Sequence, residues 1–253
     1  MAELADAMDS RPIGRKALRV QLSPRAHMAK PKLPDIDFPW TPNLAYAVGL
    51  LTTDGNLSPD GRHINFTSKD EELVLSVKSC LNLKNRIGKK GNGSYLNEKK
   101  YFVLQFGNIQ LYRWLVRIGL TPRKSRTIGA LEIPNEFFRD FLRGHLDGDG
   151  GITTCTDYYN ASIKPEYVYI RLCARFISAS EKHMRWMKEK IEETLQIFGS
   201  LHKAKARSEV HANMWILKFG KKESIKLLSK LYYDKNLPSL SRKRLIAEKF
   251  ISL

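Results

Sequence analysis

Alternating and helix-spaced apolar positions divide most of the chain into short elements that come round twice. His63-Ile64-Asn65-Phe66-Thr67-Ser68 alternates polar with apolar side chains, as a strand with one buried face does. Lys69-Asp70-Glu71-Glu72 then opens a helix to about Leu83, since acids favour a first turn, where unpaired N–H groups gather. Phe102-Val103-Leu104-Gln105-Phe106-Gly107 predicts another strand, and 108–119 another helix. The same order returns downstream. Tyr167 to Ser178 alternates through six cycles, Glu181 opens a helix to about Phe198, and Trp215-Ile216-Leu217-Lys218-Phe219-Gly220 predicts a strand leading into a helix over 221–233. Corresponding positions lie 95 residues apart at Asp54 and Asp149, 110 at Phe66 and Phe176, and 113 at Phe106 and Phe219. That drift fits a repeat with longer hairpins in its second half.

The strand faces carry a second message. In Tyr167–Ser178, Val168, Ile170, Leu172, Ala174 and Phe176 are expected to pack on helices, leaving Tyr167, Tyr169, Arg171, Cys173 and Arg175 as an aromatic, basic face. In His202–Arg207, Lys203, Lys205 and Arg207 share a face with Ala204 and Ala206 behind; His63, Asn65 and Thr67 oppose Ile64 and Phe66. One polar face is ordinary solvated surface. Several basic, amide and aromatic faces together fit a DNA major groove, where side chains read base edges, and Gln105 and Lys218 join that set. The loop Lys84–Lys100, with Arg86, Lys89, Lys90, Lys99 and Lys100 among glycines and asparagines, suits phosphate contacts.

Each half opens on an apolar stretch that ends in Asp-Gly: Ala47-Val48-Gly49-Leu50-Leu51-Thr52-Thr53-Asp54-Gly55-Asn56-Leu57 and Phe141-Leu142-Arg143-Gly144-His145-Leu146-Asp147-Gly148-Asp149-Gly150-Gly151-Ile152. A carboxylate at a helix C-terminus faces the negative end of the dipole at a cost of about 0.3–1 kcal/mol, beside carbonyls without partners. Such an end is a poor cap and a good place for a hard divalent cation. The glycine that follows is expected to be the left-handed stop of the helix. Gly49 and Gly144 let two backbones approach if those faces meet, which would set Asp54 and Asp149 side by side.

Residues 47–55 and 142–150 resemble the two signature motifs of single-chain LAGLIDADG homing endonucleases. The second copy matches closely; the first departs, with Thr52 and Thr53 where an acid and a small residue are usual. The resemblance spans roughly 41–250. It implies an α+β fold of two pseudo-symmetric αββαββα repeats forming a curved antiparallel sheet saddle, with the motif helices packed at the centre. The first repeat would occupy 37–132, with 120–132 leading into the linker, and the second 133–253. It also implies a monomeric, site-specific double-strand DNA endonuclease that cuts a long target with Mg²⁺, Ca²⁺ or Mn²⁺ being substitutes. Asp54 and Asp149 would bind metal together with the carbonyls of Thr53 and Gly148. Lys124 and Lys243, aligned by their Arg-Lys pairs, would be the basic catalytic residues. Asp147 would be structural, and His145 a packing residue. An intron RNA maturase and a non-cleaving DNA-binding regulator are the alternatives on this fold.

Composition narrows the partner. Among 253 residues, Lys and Arg number 43 against 26 Asp and Glu, a net charge of +17, and such a field attracts polyanions. No run of 18 apolar residues suggests a membrane span, and no motif points to a small-molecule substrate. Cys80, Cys155 and Cys173 have no paired spacing, which suits a reducing compartment: a prokaryotic cytoplasm or an organelle, at the DNA, and not a secreted setting. Residues 1–36 mix basic side chains with prolines and lack a signal-peptide core. The fold is expected to begin near Phe38-Pro39-Trp40, with Thr41 or Asn43 capping the first motif helix.

Overall fold

The chain enters its first helix through Thr41, whose Oγ1 accepts a hydrogen bond from the Leu44 amide at 3.1 Å, with Pro42 in the first turn. That satisfies one of the orphan donors of a helix start. From there α1 (Pro42–Thr53) leads to β1 (Gly55–Leu57), β2 (His63–Ser68), α2 (Glu71–Cys80), β3 (Ile87–Lys90), β4 (Tyr101–Gly107) and α3 (Ile109–Arg117). A 3₁₀ turn at Lys124–Arg126 precedes α4 (Asn135–Gly148), β5 (Gly151–Asp157), β6 (Tyr169–Ser178), α5 (Glu181–Leu195), β7 (Ser200–Ala204), β8 (Met214–Phe219), α6 (Lys221–Leu231) and α7 (Ser241–Glu248). The fold is α+β, and αββαββα occurs twice. This computed structural model describes residues 36–91, 101–159, 164, 166, 168–204 and 213–251. The basic tail, Lys99, Lys100, Tyr167, Lys205 and Arg207 lie outside the described residues.

Two antiparallel sheets result, ordered β1-β2-β4-β3 and β5-β6-β8-β7. Asn65 pairs with Gln105 in the first and Arg175 with Lys218 in the second, so the spacings read from the sequence hold in the register. Ile64, Phe66, Leu104 and Phe106 are buried on one side of the first sheet; Leu172, Ala174, Phe176, Leu217 and Phe219 are buried on one side of the second. The second half does carry the longer hairpin, since β6 has 10 residues where β2 has 6.

Register corrects several expected faces. Leu201 stands opposite buried Leu217, and Lys203 opposite Trp215, so Lys203 lies on the helix-packed side. The strand begins at Ser200, and an apolar residue facing the core fixes the parity of all its neighbours. Ser200 and His202 take the polar face instead, beside Lys218 and Ile216. Ile87–Lys90 is a strand and not part of a loop; Lys89 faces the same way as Phe102, its Nζ 5.4 Å from the ring centroid. Val168 and Ile170 are exposed, not packed, because β6 extends beyond the buried stretch that starts at Leu172.

The centre of the fold is the contact between α1 and α4. A Cβ on Gly49 would stand 2.2 Å from the Phe141 carbonyl oxygen, and one on Gly144 would stand 2.1 Å from that of Tyr46. Backbone touches backbone, and neither oxygen belongs to a side chain that can swing aside. Gly49→Ala or Gly144→Ala should therefore cost about 3 kcal/mol or more, read by urea denaturation. A loss under about 0.5 kcal/mol, the range of an ordinary surface change, would mean that the helices do not meet at these residues.

Candidate active site at the two helix ends

Both motif helices finish on an aspartate. Asp54 is the C-cap of α1, its amide 3.0 Å from the Leu50 carbonyl; Asp149 caps α4 and its amide bonds the His145 carbonyl. The next glycines, Gly55 and Gly150, are not left-handed: among the described residues, only Gly61 and Gly119 are glycines with positive φ. They are glycines for want of room. A Cβ would lie 2.5 Å from the Leu51 oxygen or 2.6 Å from the Leu146 oxygen, where the chain folds back on the last turn. The two ends also touch, since a Cβ on Gly148 would stand 2.0 Å from Thr53 Oγ1.

This proximity shows in the acids. Burial, and then the charge of Asp149, push the Asp54 carboxyl up to about 6, with Lys124 and Lys243 opposing. Asp149 is raised by burial against the same two lysines.

Both lysines are buried, at 6% and 4% exposed. Lys124 lies in the 3₁₀ turn, entered through Arg123 with φ of 55°, and its Nζ donates to the Gly55 carbonyl. Lys243, in the first turn of α7, donates to the carbonyls of Leu146 (2.6 Å), Asp147 (2.8 Å) and Gly150 (2.7 Å), with that of Gly148 at 3.3 Å. So the carbonyls at the end of α4 are not unpaired, as the sequence suggested. Burial brings both ammonium groups down to about 8, against the pull of Asp149 and Asp54 on Lys124 and of Asp147 on Lys243.

Each lysine segment is braced on the other half. Glu72 of α2 accepts from Ser241, and Asp70, the N-cap of α2, pairs with Arg242 at 2.9 Å. In return Ser180, the N-cap of α5, donates to the Ile128 carbonyl, and His183 Nδ1 bonds that of Gly129 at 2.8 Å. Asp147 is fully buried and accepts from Tyr46 (2.9 Å), Tyr232 (3.0 Å) and the Leu240 amide (2.8 Å), so it ties α1 to the start of α7. Arg143, also fully buried, holds the Leu231 and Pro238 carbonyls and Asp140. His145 packs as expected, its Nε2 3.3 Å from that of His183; burial brings His183 down to about 4 and holds His145 well below the usual imidazole range, both neutral. Tyr46, Tyr232, Ser180, His183 and Arg143 carry no motif in the sequence that marks them for these roles. Arg143, a charge on an apolar helix face, was the one visible signal.

The donor set suits a hard cation. No group of three or more His, Cys, Asp or Glu side chains gathers among the described residues, so an ion held by Asp54 and Asp149 would take its other ligands from backbone carbonyls, water or phosphate. Magnesium commonly binds that way. The charge of Asp149 raises the Asp54 carboxyl, and a cation between the two acids would relieve that repulsion. Thr53 Oγ1 turns back to the Leu50 carbonyl at 2.9 Å, and the Gly148 carbonyl is shared with Lys243. Beside the acids lies a cavity of about 120 Å³ lined by Thr53, Lys124, Ser125, His145, Asp149 and His183.

The polar strand faces form rows. Asn56, Asn65 and Gln105 align across the first sheet, flanked by His63 and Thr67 on β2. Gly151, Arg175, Lys218 and Ser200 align across the second. Further along β6, Tyr169 and Arg171 are exposed, and Arg171 Nε donates to Asp157 at 2.6 Å. Arg86 is exposed just ahead of β3.

This is the LAGLIDADG homing-endonuclease fold. The LAGLIDADG meganuclease I-AabMI, solved bound to uncleaved DNA, superposes with a TM-score of 0.54 at 15% identity, over 83% of this chain and 89% of that one. Variants of the homing endonuclease I-DmoI superpose with a TM-score of 0.50 at 16% identity, over 81% of this chain and 96% of theirs. No protein-family model and no curated protein sequence matches the chain.

The raised Asp54 carboxyl has a consequence for stability. The folded protein holds this proton more tightly than the unfolded chain between about pH 4 and 6, so stability falls as pH rises through that window. The penalty is absent below it and complete above it. Asp54→Asn should stabilise the metal-free protein by on the order of 2 kcal/mol near pH 7.5 and by almost nothing near pH 4. Denaturation at the two pH values reads this; an equal effect at both would contradict the burial of the charge.

Proposed function

We propose that the chain is a site-specific, metal-dependent double-strand DNA endonuclease. The observation that carries this reading is the pair of carboxylates at touching helix ends, between two sheets with amide and basic rows on their open faces. Net charge of +17 supports a polyanionic partner, and the fold is shared with a meganuclease bound to DNA. No described helix is long and apolar enough to cross a membrane. One chain supplies both acids, so a monomer suffices.

In this reading the strand faces read base edges, through Asn65, Gln105, Arg171, Arg175 and Lys218 above all. Contacts of this type discriminate by about 1–3 kcal/mol per base. Asp54 and Asp149, with the carbonyls of Thr53 and Gly148 beside them, would hold Mg²⁺ at the helix ends. The bound ion supplies activation of water and stabilisation of the leaving oxygen. A buried ammonium beside the acids orients the attacking water or offsets charge on the phosphate.

Target duplex can be recovered from a randomised library by binding alone. On it, Asp54→Asn and Asp149→Asn should each lower Mg²⁺-dependent cleavage at least ~100-fold, while affinity in Ca²⁺ stays within about threefold. Normal cutting by both variants would remove these acids from the active site. Binding without any cutting by the wild type would favour the regulator, and binding of intron RNA in preference to duplex would favour the maturase.

Salt offers an independent check. Each neutralised phosphate contributes a log–log slope of about −0.9, so affinity should fall steeply between low and moderate salt in a fluorescence titration. A flat profile would remove nucleic acid as the partner.

A further inference from the structure

We propose that the two lysines have different roles: Lys124 is the catalytic lysine, and Lys243 is a positioning residue that closes the end of α4 around Asp149. This rests on the endonuclease reading. It predicts that the two DNA strands are cut at unequal rates.

An ammonium has three N–H donors and no acceptor. Those of Lys243 are matched by the carbonyls of Leu146, Asp147 and Gly150 at 2.6, 2.8 and 2.7 Å, and the Gly148 oxygen is a fourth neighbour at 3.3 Å. These oxygens surround Asp149 on both sides in sequence. No proton remains for water or phosphate. Lys124 donates, among the described residues, to the Gly55 carbonyl alone, the counterpart of that of Gly150. Its other two protons are left for the cavity that it lines with Asp149, Thr53 and Ser125. Asp149 and Asp54 are the charges acting on Lys124, whereas Asp147 is the first to act on Lys243.

The difference has a cause in the sequence. Asp147 accepts from the Leu240 amide at 2.8 Å and so draws the start of α7, with Lys243 in its first turn, onto the end of α4. The corresponding residue of the first half is Thr52. Its hydroxyl turns back to the Val48 carbonyl at 2.8 Å and, among the described residues, bonds no other segment. Lys124 then sits on a 3₁₀ turn, pinned from the far side at Ile128 and Gly129 by Ser180 and His183. The departure of the first motif from its pattern is thus what leaves one lysine with free protons.

The test uses the full chain and a supercoiled plasmid carrying the duplex recovered by binding selection, with cutting resolved by strand. Wild type with Mg²⁺ should accumulate nicked circle before linear product, the same strand always first. Lys124→Met should slow that strand at least ~100-fold and the other less than about tenfold. Lys243→Met should lower Tm by ~5 °C or more, well beyond the loss in Lys124→Met, while its folded fraction still cuts the first strand within about tenfold of wild type. A Lys243→Met chain that does not fold shows the same capping role in a stronger form, and the strand order and Lys124→Met then decide the rest. Equal strand rates in the wild type would overturn the proposal. So would a Lys243→Met protein of unchanged Tm that has lost one strand, or a Lys124→Met protein that cuts both normally. If the wild type cuts neither strand, the endonuclease reading has failed, and the comparison of Tm losses alone decides the role of Lys243.

Discussion

Everything at the centre of this protein depends on two helices meeting backbone to backbone at Gly49 and Gly144. A Cβ at either position would collide with a carbonyl oxygen of the facing helix, so the pair is held at a separation that other residues do not permit. Dispersion at such a close, dry contact is individually small and collectively large. Its geometric effect matters more. Because the glycines lie about one turn from their helix ends, the contact also fixes where those ends fall, and Thr53 is pressed against Gly148. Asp54 and Asp149 are adjacent because their helices cannot be elsewhere.

Two acids placed this way work against stability. Each faces a helix C-terminus, partial desolvation raises both carboxyls, and Asp54 feels the charge of Asp149. The fold offsets this with two buried lysines, and it anchors each lysine segment to the N-terminus of the second helix of the opposite half. The offset is not symmetric. Asp147, Tyr46 and Tyr232 build a fully buried polar network under Lys243, while the first half has Thr52 at that place. A buried polar network whose members are all hydrogen-bonded, as Asp147 is by three donors, rigidifies its surroundings, which suits a residue that holds Asp149 still. The freer lysine lies where the network is missing.

Much of this was legible in the sequence, for physical reasons. Strict alternation in His63–Ser68 and Tyr167–Ser178, and acidic helix starts at Glu71 and Glu181, located strands and helices because burial has a period and helix starts attract negative charge. Two glycines and two Asp-Gly ends gave the heart of the site. What misled was parity in short strands. Lys203 looked outward beside Ala204, but Leu201 facing Leu217 decided the matter, and cross-strand register is not written in a five-residue segment. The bracing of lysine segments by Ser180, His183 and Glu72 joins residues 50 to 170 positions apart, and no local pattern announces it. The glycines after the acids looked like left-handed stops; tight folding back on the helix end, a tertiary feature, is what requires them.

The most direct test of the central claim is anomalous diffraction from crystals of the protein with its selected duplex and Mn²⁺. The account predicts manganese density bridging the Asp54 and Asp149 carboxylates and the scissile phosphates, at oxygen distances of about 2.0–2.4 Å, with the duplex lying on the open faces of both sheets. Manganese elsewhere on the protein, or a duplex bound on the helical side with these carboxylates bare, would contradict it.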